Sequence, residues 1–119
     1  MRKIILIVED NPVFRRGLER LLTAEGYEAH AFASAEAAAE AAKSGDYDVA
    51  LLDVRLPGMT GEELGVMLKK RYAKKPIAFV TSEFAHNSQL KRRIPGCEIL
   101  PKPVHIENLL GMLRIMTLN

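Results

Sequence analysis

The sequence predicts an α/β fold, an open, doubly wound sheet of five parallel strands with helices on both faces. Three observations carry that prediction. Strand-like runs and helix-period segments alternate strictly along the chain, which requires right-handed crossovers and parallel pairing. Three of the runs, Ile4-Ile5-Leu6-Ile7-Val8, Val49-Ala50-Leu51-Leu52 and Ile77-Ala78-Phe79-Val80, are apolar throughout, as strands covered on both faces are. Each of the three then stops on an acid or a hydroxyl: Glu9-Asp10, Asp53 and Thr81.

Taken in order, residues 3–8 form the first buried strand. Asn11-Pro12 opens a helix, with Asn as cap and Pro at the first helical position. Phe14, Leu18, Leu21 and Leu22 follow at helical spacing, and Gly26 ends that helix. Residues 27–32 are mixed and polar enough for an edge strand. Ser34 caps an Ala-rich helix through Lys43, closed by Gly45, whose small residues suit close packing on a sheet. Residues 48–53 are the second buried strand. Thr60-Gly61-Glu62-Glu63 is a capping box, opening a helix to about Tyr72. Residues 76–81 are the third buried strand. The stretch 84–94 is a weaker helix that Pro95-Gly96 cuts short. Residues 97–100 form a short strand. Residues 104–118 form a last helix with Ile106, Leu109, Leu110, Leu113 and Met116 on one face.

The 119 residues read as one domain, 1–119. A chain 48% hydrophobic and 27% charged is ordinary for a globular protein and argues against disorder. The net charge of +2 is too small to imply nucleic-acid binding by itself. One cysteine, Cys97, cannot form an internal disulfide, and it reads as a small buried hydrophobe. No apolar stretch approaches the roughly 18 residues of a membrane span. The start, Met1-Arg2-Lys3 into five apolar residues and then acids, does not resemble a signal peptide. A cytoplasmic protein is expected. The basic cluster Lys69-Lys70-Arg71-Tyr72-Ala73-Lys74-Lys75 is read as a solvated helix C-terminus complementing the macrodipole rather than a nucleic-acid patch. His30, His86 and His105 show no metal-ligand spacing.

In open α/β sheets, ligands bind beyond the carboxyl ends of the strands. Glu9, Asp10, Asp53, Thr81 and Lys102 all fall at or just past such ends. Singly, each has a structural explanation: Asp10 as a turn residue, Asp53 and Thr81 as strand ends, Lys102 as a loop lysine between prolines. Five at one edge point to a site. Two like charges about 4 Å apart repel by roughly 4 kcal/mol at an effective dielectric near 20. Three carboxylates therefore need a cation, a lysine or a raised pKa. Such oxygen ligands suit Mg2+, which takes one or two carboxylates and keeps waters and phosphate oxygens. A carboxylate so placed can attack phosphorus and form an acyl phosphate.

These residues resemble the response regulator receiver family over essentially the whole chain. The matching pieces are Ile7-Val8-Glu9-Asp10-Asn11, Leu51-Leu52-Asp53-Val54-Arg55-Leu56-Pro57-Gly58-Met59-Thr60-Gly61, Thr81-Ser82 and Lys102-Pro103. The resemblance implies the flavodoxin-like (βα)5 fold with strand order 2-1-3-4-5, the order of the receiver that serves as a standard example of this topology. It implies Asp53 as phospho-acceptor, taking a phosphoryl group from a phosphohistidine on a sensor histidine kinase or a histidine phosphotransfer protein. It implies Glu9 and Asp10 as organisers of Mg2+ with Asp53, the carbonyl of Arg55 as a further ligand, Thr81 as switch hydroxyl, Lys102 as partner of the phosphoryl oxygens, and a cis Lys102-Pro103 bond. Such a chain is a signalling receiver that catalyses its own Asp phosphorylation and dephosphorylation, not an enzyme acting on a separate substrate.

Departures from the family pattern concern the output. Ile99 stands three residues before the site lysine, where many receivers carry Tyr or Phe. Arg92-Arg93-Ile94-Pro95-Gly96 replaces the usual Ala/Gly-rich end of the fourth helix. Arg55 and Glu83, two residues past Asp53 and Thr81, occupy positions that tune dephosphorylation in the family; an ion pair between them would partly cover the acyl phosphate and slow attack by water, the alternative being two solvated side chains. The expected partners are a kinase or phosphotransfer protein and an unidentified downstream protein, with no direct nucleic-acid or membrane contact. The alternative is a phosphorylation-independent interaction module on the same fold. An aspartyl-phosphate hydrolase is disfavoured, because Arg55 stands where a second acid would be needed.

Overall fold

A computed structural model describes residues 1–83, 85 and 87–118 of the chain. The strands are β1 (Ile4–Val8), β2 (Glu28–Phe32), β3 (Val49–Asp53), β4 (Ile77–Thr81) and β5 (Glu98–Pro101). The helices are α1 (Pro12–Ala24), α2 (Ala35–Ala41), α3 (Gly61–Arg71), α4 (Asn87–Arg93) and α5 (Ile106–Met116). A single turn of 3-10 helix, Ala42–Ser44, extends α2. All strand pairs are parallel and the sheet order is β2-β1-β3-β4-β5, as the resemblance implied.

Side-chain alternation sorts the strands into two faces. Leu6 and Val8, Ala50 and Leu52, and Ile77 and Phe79 pack with α2, α3 and α4. Ile5 and Ile7, Val49 and Leu51, and Ala78 and Val80 pack with α1 and α5. The central strands are buried along both faces, which is why their sequences lack a polar alternation.

The helix starts follow from local chemistry. The Asn11 side chain accepts hydrogen bonds from the Val13 and Phe14 backbone N–H groups, and Ser34 accepts one from Ala37. Thr60 and Glu63 close a reciprocal capping box. Gly61, the first residue of α3, lies so close to the Asp53 carbonyl that a Cβ there would collide with it. The third helix is thereby seated directly on the end of β3.

α4 is seven residues long and stops at Arg93, one residue before the Ile94-Pro95 bond. Phe84 and His86, part of the expected helix 84–94, lie outside the described residues. α4 is fastened to α3 from both its turns: Glu62 accepts hydrogen bonds from Gln89 (2.7 Å) and Arg93. Ile99 is half-buried and packs against the same core as Phe79, its partner in register. Cys97 is buried just before β5, and burial pushes its thiol up, partly offset by Lys91.

One reading of the basic cluster needs correction. Lys75 is not a solvated lysine. Its ammonium donates to the carbonyls of Gly45 and Tyr47 and lies 4.8 Å and 5.3 Å from the ring centroids of Tyr47 and Tyr72. Tyr72 in turn donates its hydroxyl to the Ala42 carbonyl at 2.8 Å. The pair caps the carbonyl end of α2 in trans, where a positive charge complements the helix dipole.

Candidate functional site

The carboxyl edge of the sheet gathers the predicted residues according to strand parity. Glu9, Asp53 and Lys102 each continue the alternation that points toward α1 and α5. Glu9 and Asp53 are buried, at 2% and 6% exposure. Lys102 is half-buried, and its ammonium donates to Glu9 Oε1 at 3.0 Å and to Asp53 Oδ2 at 2.9 Å. The ring of Phe14 lies beneath that ammonium, 5.2 Å from it. The Lys102-Pro103 bond is cis, and the Lys102 N–H donates to the Thr81 carbonyl at 2.9 Å.

Backbone donors hold the remaining carboxylate oxygens. Asn11 N–H donates to Glu9 Oε2 at 3.0 Å, and Arg55 N–H donates to Asp53 Oδ1 at 3.0 Å. Burial raises the Glu9 carboxyl above its ordinary value, and the Asp53 charge adds to this, against the lowering pull of Asn11 and Lys102. For Lys102, burial alone would lower the ammonium, but hydrogen bonds to Asp53 and Glu9 and their charge outweigh it and raise it.

Asp10 is exposed and completes the cluster. Carboxylate oxygens of Glu9, Asp10 and Asp53 lie within 4.8 Å of one another. This all-oxygen, anionic donor set fits Mg2+.

Thr81 is the predicted residue whose hydroxyl stands apart. It is buried and shares the parity of Ile77 and Phe79, opposite to that of Asp53. Its hydroxyl accepts from the Glu83 N–H at 3.0 Å and donates back to the Glu83 carbonyl at 3.3 Å. Arg55 and Glu83 do pair: the Arg55 guanidinium bridges to the Glu83 carboxylate, with Arg55 largely exposed. His30 pairs instead with Glu28, at 2.6 Å. His105 is the N-cap residue of α5 and makes no side-chain capping bond.

Sequence reasoning missed two residues that build the site. Arg15 donates to the carbonyls of Glu9 (2.9 Å) and Asp10 (3.3 Å), pinning the turn that carries both acids. Its place one turn past the Asn11 cap is a readable signal. Glu36, in α2, accepts from the Met59 N–H at 2.9 Å. That contact spans 23 residues, and no local pattern announces it.

A sequence model described as the response regulator receiver domain matches residues 5–114 of the chain. The transcriptional regulatory protein TcrA of Mycobacterium tuberculosis is 33% identical over 114 residues, covering 95% of this chain and 45% of that protein. The uncharacterized transcriptional regulatory protein YkoG of Bacillus subtilis is 33% identical over 115 residues, covering 92% of this chain and 49% of that protein. The chain thus spans about half the length of these two relatives. Among solved structures, the chemotaxis protein CheY4 of Vibrio cholerae superposes with a TM-score of 0.89 at 28% identity, covering 98% of this chain and 99% of that one. The response regulator TrrA of Thermotoga maritima, solved in complex with Mg2+ and BeF, gives 0.87 at 28% identity, covering 96% and 98%.

Proposed function

The chain belongs to the response regulator receiver family of two-component systems, and from that premise we propose that Asp53 accepts a phosphoryl group from a phosphohistidine with the help of Mg2+. The observation that carries the proposal is the position of Asp53. Its Oδ2 is bonded to Lys102 and its Oδ1 to the Arg55 N–H, at the centre of an acidic pocket.

In the proposed step a carboxylate oxygen of Asp53 attacks phosphorus. An O–P bond forms, the N–P bond to the donor imidazole breaks, and the imidazole leaves with the electron pair. Glu9, Asp10, Asp53 and the carbonyl of Arg55 would hold Mg2+. The bound ion would offset the negative charge of the transferring group. Lys102, already between Glu9 and Asp53, turns part of its charge to the phosphoryl oxygens. Thr81 is the hydroxyl donor for another phosphoryl oxygen, which requires it to leave its bonds to the Glu83 backbone. A phosphoryl group could compensate that loss with a charge-assisted bond.

Val13 and Ile106 are exposed large apolar residues on the first turns of α1 and α5, the two helices that share one face. They flank the acidic edge and suit the apolar part of a docked sensor kinase or histidine phosphotransfer protein. The transcriptional roles in the relatives' names concern proteins about twice this length, so the downstream partner is left unassigned.

Beryllofluoride with Mg2+ tests the reading, with amide NMR as readout. Binding should shift the amides of Asp53, Arg55, Thr81 and Lys102 together. A spectrum unchanged around Asp53 would instead favour a phosphorylation-independent interaction module.

A further inference from the structure

Glu36 is an exposed acid that reaches the loop carrying the site. It lies in the first turn of α2, whose start is fixed by the Ser34 cap. Its Oε2 accepts the Met59 N–H at 2.9 Å. The same carboxylate lies against the α-carbon of Gly58, where an added Cβ would collide with it. Gly58 has φ +76°, so the loop makes a left-handed turn at that point. The hydrogen bond from Met59 holds the Glu36 carboxyl below its ordinary value.

The loop 54–60 joins Asp53 to α3. Its ends are tied locally or to the neighbouring strand. Val54 N–H donates to the Val80 carbonyl at 3.3 Å, Arg55 N–H to Asp53 Oδ1 at 3.0 Å, and Thr60 N–H to Glu63 at 3.0 Å. At Gly58-Met59 the loop is held from α2, across 23 residues of sequence.

We infer that Glu36 is a positioning residue for the Asp53 site, fixing the loop that presents Arg55 to the metal and the phosphoryl group. The inference rests on the reading of Asp53 as an Mg2+-assisted phospho-acceptor. Glu36 touches no reacting atom. It acts by reducing the conformations the loop must give up when the site fills, a cost that otherwise comes out of binding affinity.

Titrating Mg2+ alone into the full chain, followed by the amide shifts of Asp10, Asp53 and Arg55, tests it in wild type, Glu36→Gln and Glu36→Ala. Alanine is a strong helix former, so α2 persists in the last variant. Glu36→Ala should weaken Mg2+ binding by about three- to tenfold, the range expected for one hydrogen bond, and speed exchange of the Met59 amide. Glu36→Gln keeps an acceptor oxygen and should recover most of the affinity. Equal Mg2+ affinity in Glu36→Ala and wild type would overturn the inference and leave the phospho-acceptor reading intact. So would a Gln variant as weak as the Ala variant, which would mean charge rather than position. A wild-type chain that takes up no Mg2+ would overturn both.

Discussion

Tyr47 shows how one side chain can be wrong for its surroundings and still be kept. It is 3% exposed, its ring meets Tyr72 edge-on at 5.7 Å, and its hydroxyl finds no hydrogen-bond partner among the described residues. Burial, then the neighbouring Tyr72, pushes its phenol up to about 12 from 10.0. The folded state therefore holds this proton more tightly than the unfolded chain. The stability tied to it is fully present below pH 10.0 and drains away as pH rises toward about 12. Tyr47→Phe keeps the ring and removes the orphaned hydroxyl. It should raise stability by about 1 kcal/mol and flatten the alkaline loss, as read from urea midpoints at neutral and alkaline pH. A less stable Phe variant would mean that the hydroxyl is satisfied. The Arg55–Glu83 pair is the residue-scale feature with a kinetic consequence. On the proposal that Asp53 carries an acyl phosphate, the pair would partly cover that group and slow attack by water. Because exposed pairs are weak, Arg55→Ala and Glu83→Ala should each shorten the acyl-phosphate lifetime by only about two- to fivefold. Unchanged lifetimes in both would remove that role.

Elements are where local sequence spoke most directly, because caps, glycines and prolines act within a few residues of themselves. The Asn11, Ser34 and Thr60 caps stand where the sequence places them, and Pro95 limits α4. Less visible is how tightly α3 is pressed onto the sheet. Gly61 touches the Asp53 carbonyl, and Gly65 faces Phe79 and Ile94 with no room for a methyl. These are long-range approaches, which a single sequence records only as glycines in a helix. Gly61→Ala must push α3 away from β3 and move the Asp53 backbone. It should cost about 2–3 kcal/mol by overpacking and weaken beryllofluoride binding as well, measured by thermal melting and by titration. A Gly61→Ala chain with native stability would contradict this packing. Lys75 escapes charge patterning for the same reason: Tyr72 is a near neighbour, but the carbonyls of Gly45 and Tyr47 that hold the ammonium lie 30 and 28 residues away in sequence, and patterning alone reads it as solvated.

Across the whole molecule, strand parity separates what was legible from what was not. Apolar runs ending in polar or charged residues fix which edge of the sheet is chemical, so Glu9, Asp10, Asp53 and Lys102 group from the sequence alone. The parity of Thr81 runs the other way, which is consistent with a hydroxyl bonded to the Glu83 backbone instead of joining the acids. Of the two supports, Arg15 lies within six residues of its partners, whereas Glu36 meets Met59 only across 23 residues, once the chain from α2 through β3 is in place. The central claim is that this edge makes Asp53 the phospho-acceptor. The most direct measurement is phosphotransfer from a phosphorylated histidine kinase or phosphotransfer protein, with the labelled residue mapped and Asp53→Ala as control. The account predicts Mg2+-dependent label on Asp53 and none on the Ala variant. Label retained by Asp53→Ala, or mapped to another residue in the wild-type chain, would contradict it.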